Sequence, residues 1–429
     1  MQTSENEFDV VVVGAGFSGM YLLHKLRQAG LSARVLEAGK DVGGTWYWNR
    51  YPGARCDVPS IEYSFSFSPE LQQEWQWTEV MAAQPEILDY ANHIAQRFDL
   101  RSDIEFSTRV ESAHFQEHEQ RWRVTTDAGV EYAARFCVMA TGCLSVPNTP
   151  QITGADDFAG DVFHTGNWPA EGVDFSKRRV GIIGTGSSAI QAIPVIAEQV
   201  EHLTIFQRTP NYTMPAHNRP LSDDFRKQAI ENYDEIRQQQ RESQVGIVGY
   251  GFGFGGADNV EPTEAILETT EAERAALVEE EGFVAIRRFA DVALDPEANE
   301  LACEMYRQQI GRVIDNPETA EALMPRDYPM GCKRPVIDTD YYETFNRSNV
   351  RLVDLRKGGI ETITATGIQT AQGHFEFDTL VYATGFDAMT GALQKIDIRG
   401  RDNERLNDHW EAGPRTYLGL QINGFPNLF

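Results

Sequence analysis

The sequence predicts an α/β protein built on two Rossmann-type dinucleotide-binding domains, the second carrying a helical insertion. Three observations predict it. A glycine-rich turn set between an apolar run and a helical pattern occurs twice, and a short apolar strand running into Ala-Thr-Gly also occurs twice. The 429-residue length is too great for one ordinary core and fits two to three domains.

The first turn follows Asp9-Val10-Val11-Val12-Val13 and reads Gly14-Ala15-Gly16-Phe17-Ser18-Gly19; the next apolar run, residues 33–36, ends in Glu37. The second follows Arg179-Val180-Gly181-Ile182-Ile183 and reads Gly184-Thr185-Gly186-Ser187-Ser188-Ala189; its next run, residues 203–207, ends in Arg208. In each, the first glycine makes the turn, the second lets a pyrophosphate approach, and a small third residue lets helix and strand pack. The helix that follows presents free N–H groups and the positive end of its dipole. Glu37, 23 residues after Gly14, is an acceptor for a ribose 2′-OH, whereas Arg208, 24 residues after Gly184, suits a 2′-phosphate. The pattern implies a flavin or NAD-type nucleotide on the first domain and NADP on the second, the layout of a flavoprotein that draws hydride from NADPH.

Along the chain, residues 1–150 alternate strand, turn and helix as the first part of the first nucleotide domain. The segment Phe136-Cys137-Val138-Met139-Ala140-Thr141-Gly142 recurs in kind as Thr379-Leu380-Val381-Tyr382-Ala383-Thr384-Gly385, which implies two crossings between domains. Residues 151–220 are a linker and the first part of the second nucleotide domain. Residues 221–332, rich in Glu, Arg, Gln and Ala at helical spacing, are the helical insertion, interrupted at 246–256 by a Gly-aromatic stretch expected to be a loop. Residues 333–384 complete the second domain, with a strand pattern at 350–354, and 385–429 return to the first. The apolar residues 417–420 and 424–429 are strand-like. Such a run is seldom a natural end, so a further C-terminal segment is expected to be missing.

A net charge of −26 argues against nucleic acid and anionic membranes as partners. The acidic, polar start is not a signal peptide, and no apolar stretch reaches the ~18 residues of a membrane span. Five scattered cysteines without a CxxC fit a reduced, cytoplasmic protein and count against a disulfide reductase. His114 and His118, spaced four apart, read as exposed residues of a Glu- and Gln-rich strand and turn, and no metal is expected. A monomer is the favoured state.

Between the two nucleotide motifs lies Phe158-Ala159-Gly160-Asp161-Val162-Phe163-His164-Thr165-Gly166-Asn167-Trp168-Pro169, which fits FxGxxxHxxxWP. Together with residues 43–57 (Gly-Gly-Thr-Trp-Tyr-Trp onward), Gln207-Arg208-Thr209-Pro210, Lys333-Arg334, Tyr341-Tyr342 and residues 383–387, it makes the chain resemble the Baeyer–Villiger monooxygenases from the first nucleotide motif to residue 429. The resemblance implies FAD on the first fold, held by Gly14, Gly16, Ser18, Gly19 and Glu37. Thr45, Trp46, Tyr47 and Trp48 would cover the flavin ring, with Tyr63 nearby and Val110 toward the adenine. It implies NADPH on Gly184, Thr185, Gly186, Ser187, Ser188, Ala189, Ile190 and Gln191, and on Arg208, Thr209 and Lys333. Arg55 and Asp57 would lie where the cofactors face each other, Cys56 and Arg334 would be among the cofactor-binding residues, and Arg334 and Asp57 would be catalytic. His164 is expected to anchor the linker and not to catalyse.

The implied chemistry accounts for these residue types. The partners would be a ketone and O2, and the product an ester or lactone formed through a flavin C4a-peroxide. A guanidinium stabilises that peroxide anion and the charge of the ketone adduct without losing a proton of its own near neutral pH. A neighbouring carboxylate, Asp57, would hold it in place. Two alternatives stay open: a flavin monooxygenase acting on soft nitrogen or sulfur, and an inactive nucleotide-binding fragment.

Overall fold

Four consecutive apolar residues, Val10 to Val13, are buried in the strand Glu7–Val13 at the heart of a seven-stranded sheet. A run apolar on both faces belongs to a strand covered on both faces, which is the habit of parallel strands. Glu7–Val13 indeed pairs in parallel with Ala33–Leu36 on one side and Glu131–Val138 on the other. The structure is a computed structural model that describes residues 6–243, 246–247 and 262–429. They divide into two compact units: residues 1–50, 87–148 and 386–429, and residues 51–86 with 149–385.

In the first unit the sheet continues through the antiparallel pairs Glu131–Val138/Arg121–Thr126 and Arg121–Thr126/Val110–Gln116, then takes Asp397–Arg399 in parallel. Its core joins Val11, Leu36, Trp122 and Val124 to Ile398, Trp410, Phe425 and Leu428. The C-terminal residues therefore pack here, and Trp122 donates its indole N–H to the Pro426 carbonyl at 2.8 Å. The strand expected at 417–420 is absent. Leu418 and Gly419 take positive φ, the Tyr417 N–H bonds the Gln421 carbonyl at 2.7 Å, and Leu418 is 79% exposed, so the backbone turns instead. In the last six residues, only Leu428 bridges a strand residue, Cys137.

The second unit has a five-stranded, wholly parallel sheet. Its order is Val350–Asp354, His202–Gln207, Arg179–Ile183, Thr379–Tyr382 and Asp161–His164. The helix Ser187–Ala197 buries Ala189, Ile190, Ile193 and Ile196 against it. Where it is described, the insertion is helical. The helix Glu271–Glu281 starts on a capping box, Thr270 with Glu273, and Pro296–Val313 starts on an Asp295 cap followed by proline. The latter helix buries Ala298, Ala302, Met305, Tyr306 and Ile310, one stripe at helical spacing. The Gly-aromatic stretch lies outside the described residues apart from Gly246 and Ile247.

Residues 51–86, read from sequence with the first nucleotide domain, belong to the second unit. The segment contributes no strand to the first sheet. Met81 packs instead with Met214, Ala216 and Ile337, and Gln72 accepts from the buried guanidinium of Arg237 at 2.9 Å. The chain thus passes between units after residues 50, 86, 148 and 385, four passages where two were expected.

Candidate active site

The turn of the first unit is built on glycine by necessity. A Cβ on Gly14 (φ +106°) would lie 2.5 Å from the Ala140 carbonyl oxygen, and one on Gly19 only 1.9 Å from the Gly14 oxygen. Gly16 and Gly44 press backbone to backbone: a Cβ on Gly44 (φ +53°) would sit 2.8 Å from the Gly16 Cα. Gly16 caps the helix Phe17–Gln28 with no side chain, so the amides around Ser18 are left for an anion. Glu37 is 5% exposed, and its two carboxylate oxygens accept from the Ala15 and Gly39 N–H groups, each at 2.6 Å. The acid at the strand tip therefore also pins the turn, a duty its spacing did not reveal.

Thr45–Trp48 forms a single helical turn with Trp46 buried. The Tyr47 hydroxyl accepts from the Lys40 N–H at 3.1 Å, and its ring lies under the Arg50 guanidinium at 4.5 Å and against Trp48 at 5.0 Å. Val110 is buried at the start of its strand, opposite Thr126. A backbone cradle of this shape, an uncapped helix start and an acid at the strand tip fit a dinucleotide.

In the second unit, Gly184 (φ +109°) would push a Cβ to 2.4 Å from the Ala383 carbonyl oxygen. Gly186 is different, because a Cβ there meets nothing within 4 Å. Its lack of a side chain therefore serves an approaching ligand and not internal packing, the role of the second glycine in such a turn. Thr185 donates its hydroxyl to the Thr209 carbonyl at 3.2 Å, and Asn211 donates to the Thr185 carbonyl at 2.5 Å, which docks the 208–211 loop on the turn. Arg208 is exposed on that loop, and among the described residues its guanidinium makes no hydrogen bond or ion pair. Lys333 lies 4.3 Å over the Tyr328 ring, whose hydroxyl donates to the Pro210 carbonyl at 2.8 Å. Two cations thus flank one loop, which suits a nucleotide carrying a third phosphate.

In the FxGxxxHxxxWP segment, Phe158, Gly160, His164 and Trp168 are held by packing and hydrogen bonds within their own unit. Phe158 packs with Phe377 and Ile363, and a Cβ on Gly160 would meet the Asp378 carbonyl oxygen at 2.4 Å. His164 accepts the Gly166 N–H on Nδ1 at 2.9 Å, which places its proton on Nε2, 3.4 Å from the Thr384 hydroxyl. Trp168 is buried between Phe163 and Phe175. The intervening Thr165 reaches the Ser188 hydroxyl at 3.0 Å, so the segment touches the nucleotide turn of its own unit. Nothing in the spacing identified Thr165.

Asp57 and Arg334, far apart in sequence, form an ion pair at 2.9 Å. Arg334 comes into place through the parallel pairing of Thr213–Pro215 with Val336–Asp338, just after it. Its side chain is 54% exposed and that of Asp57 28%. Arg55 points elsewhere, with Nη1 on Glu79 at 2.5 Å and on the Met81 carbonyl at 2.6 Å. Burial opposes the Glu79 charge, but hydrogen bonds from Arg55 and Asn218 outweigh it and hold the carboxyl below its usual range. Cys56 is buried, and burial pushes its thiol up to about 12, which makes it unreactive. The Gln191 carboxamide bonds residues 51 and 55. Of the expected flavin-site residues, Tyr63 lies with Arg55, Cys56 and Asp57 in the second unit. Among the described residues there is no cluster able to hold a metal and no helix long and apolar enough to cross a membrane.

Residues 11–246 match the family model described as pyridine nucleotide-disulphide oxidoreductase. The chain is 42% identical to 2-oxo-Δ3-4,5,5-trimethylcyclopentenylacetyl-CoA monooxygenase of Pseudomonas putida, over 98% of this chain and 77% of that protein. It is 42% identical to a Baeyer–Villiger monooxygenase of Pseudooceanicola batsensis, over 99% and 77%. It is 39% identical to a phenazine N-monooxygenase of Lysobacter antibioticus, over 100% and 77%. Among solved structures it is similar to an oxidized steroid monooxygenase bound to NADP, with 52% identity, TM-score 0.88 and coverage of 99% of this chain and 80% of that one. It is also similar to OTEMO in complex with FAD and NADP, at 41% identity, TM-score 0.90 and 98% and 80% coverage.

Proposed function

The chain belongs to the Baeyer–Villiger monooxygenase family, and from that premise we propose that it uses NADPH and O2 to insert one oxygen atom beside a ketone carbonyl, giving an ester or lactone. FAD is held by the first unit's turn, through Gly14, Gly16, Ser18, Gly19 and Glu37, and NADPH by the second unit's turn with Arg208, Thr209 and Lys333. Bound FAD supplies the hydride acceptor and the means of activating oxygen.

The observation that carries the reading is the Asp57–Arg334 pair at 2.9 Å with the arginine side chain half exposed. A permanently charged donor, oriented by a carboxylate and half exposed, matches the negative charge that grows on a ketone oxygen as a C–O bond forms to its carbon. Asp57 orients and Arg334 stabilises. The guanidinium does not have to gain or lose a proton near neutral pH. The 52% identity to a steroid monooxygenase supports bulky ketones as the first substrates to try. Five cysteines without a disulfide support a reducing, cytoplasmic setting.

A second reading, oxygenation of an aromatic ring nitrogen, is favoured by the phenazine N-monooxygenase at 39% identity. Oxygen-dependent NADPH oxidation with a panel of ketones and phenazines, products identified by mass, decides between them. Esters from ketones are expected; N-oxides with no ester would favour the second reading.

A further inference from the structure

The second nucleotide helix, Ser187–Ala197, does more than present its N-terminus. From its second turn Gln191 reaches the segment that leads to Asp57. The Gln191 Oε1 accepts the Tyr51 hydroxyl at 2.8 Å and the Arg55 N–H at 3.4 Å, while its Nε2 donates to the Arg55 carbonyl at 3.1 Å. Only this orientation of the amide works, since a flipped one would set N–H against N–H and oxygen against oxygen. Between these anchors Gly53 (φ +79°) lies directly on the helix, where a Cβ would fall 2.3 Å from the Gln191 carbonyl oxygen. The segment is thus keyed to one residue of the helix by side chain and backbone together. Two residues beyond Arg55 stands Asp57, paired with Arg334.

We propose that Gln191 is a positioning residue that ties the NADP-binding helix to the Asp57–Arg334 pair, an inference that rests on the function proposed above. Tyr51 is its counterpart. Burial, with the Asp57 charge behind it, pushes the Tyr51 phenol up, so it stays a donor over the working pH range. The resemblance to the family implied that Gln191 meets NADP directly. The geometry points to action through the 51–57 segment instead.

The test uses the full chain loaded with FAD and compares wild type with Tyr51→Phe, Gln191→Leu and the double variant. Tyr51→Phe removes one hydroxyl and leaves the fold's packing intact. Amide hydrogen exchange over residues 54–57 is expected to speed up about tenfold in Tyr51→Phe, the size of one lost hydrogen bond, and by at least as much in Gln191→Leu, which loses all three. The double variant should exchange no faster than Gln191→Leu alone, because both changes break one linkage. NADP+ affinity, titrated directly, and the KM for NADPH should stay at wild-type values, while kcat for ester and ester formed per NADPH fall. If Gln191→Leu weakened NADP+ binding and left exchange over 54–57 unchanged, the residue would be a nucleotide ligand and the proposal overturned. Additive effects in the double variant would overturn it too. The exchange and NADP+ measurements need no ketone turnover, so a wild-type enzyme that made no ester would count against the proposed function without deciding this inference.

Discussion

Asp57 holds Arg334 at 2.9 Å while about half of the arginine side chain stays exposed. The carboxylate fixes the guanidinium's orientation, and the exposed half of the side chain is accessible to a negatively charged ligand. Arg334→Ala is therefore expected to bind FAD and still be reduced by NADPH, yet to lose ester formation by at least ~10²–10³-fold, the usual cost of one transition-state stabiliser. Anaerobic flavin reduction and aerobic product analysis on the same variant measure the two halves separately. Near wild-type ester formation would remove Arg334 from the mechanism.

The two nucleotide turns predict opposite phenotypes. Gly16→Val puts a branched side chain where the Gly16 and Gly44 backbones meet, with Gly44 Cα 3.5 Å from the first added carbon. Loss of bound FAD, seen as loss of visible absorbance, is expected. At Gly186 the first added carbon meets nothing within 4 Å, so Gly186→Val should fold normally, keep FAD and raise the KM for NADPH. Reversed outcomes would mean that the cofactors are assigned to the wrong units.

Arg208, without a hydrogen bond or ion pair among the described residues, is the proposed reader of the 2′-phosphate. Arg208→Ala should weaken NADPH much more than NADH, by roughly 1.5–3 kcal/mol for a lost charged hydrogen bond. Michaelis constants for both nucleotides check this. A preserved preference for NADPH would transfer the role to Lys333.

Asp338 makes a prediction about pH. Its carboxyl is buried, among the described residues Oδ2 has no hydrogen-bond partner, and burial raises its pKa to about 6, against hydrogen bonds from Thr213 and the Tyr341 N–H that favour the charge. The folded protein thus holds this proton more tightly than the unfolded chain does. The stabilisation is complete below the unfolded value near 4 and is lost as pH rises through about 6, for a change of about 3 kcal/mol. Denaturant unfolding at pH 4 to 8 should show Asp338→Asn lacking that component of the wild-type slope. Parallel pH profiles for the two proteins would contradict it.

What the sequence revealed was chemistry concentrated in short, rigid stretches. Gly14, Gly19 and Gly184 could be read because a turn that forbids Cβ leaves an invariant spacing, and Glu37 and Arg208 because they end the next strand. The 51–86 segment was misplaced for the converse reason. It contributes no strand to the first sheet, and its membership is decided by contacts such as Gln72 with Arg237 and Met81 with Met214, which lie far apart in sequence. Gln191 was legible as a helix residue but not as a clamp, since its partners Tyr51 and Arg55 come from that same segment. The apolar 417–420 run looked like a strand, yet positive φ at Leu418 and Gly419 turns it.

The most direct measurement of the central claim is turnover of a bulky ketone with NADPH under isotopically heavy dioxygen. The account predicts an ester or lactone carrying one heavy oxygen atom, formed by wild type and not by Arg334→Ala. An unlabelled product, or NADPH oxidation that yields only hydrogen peroxide with every ketone offered, would contradict it.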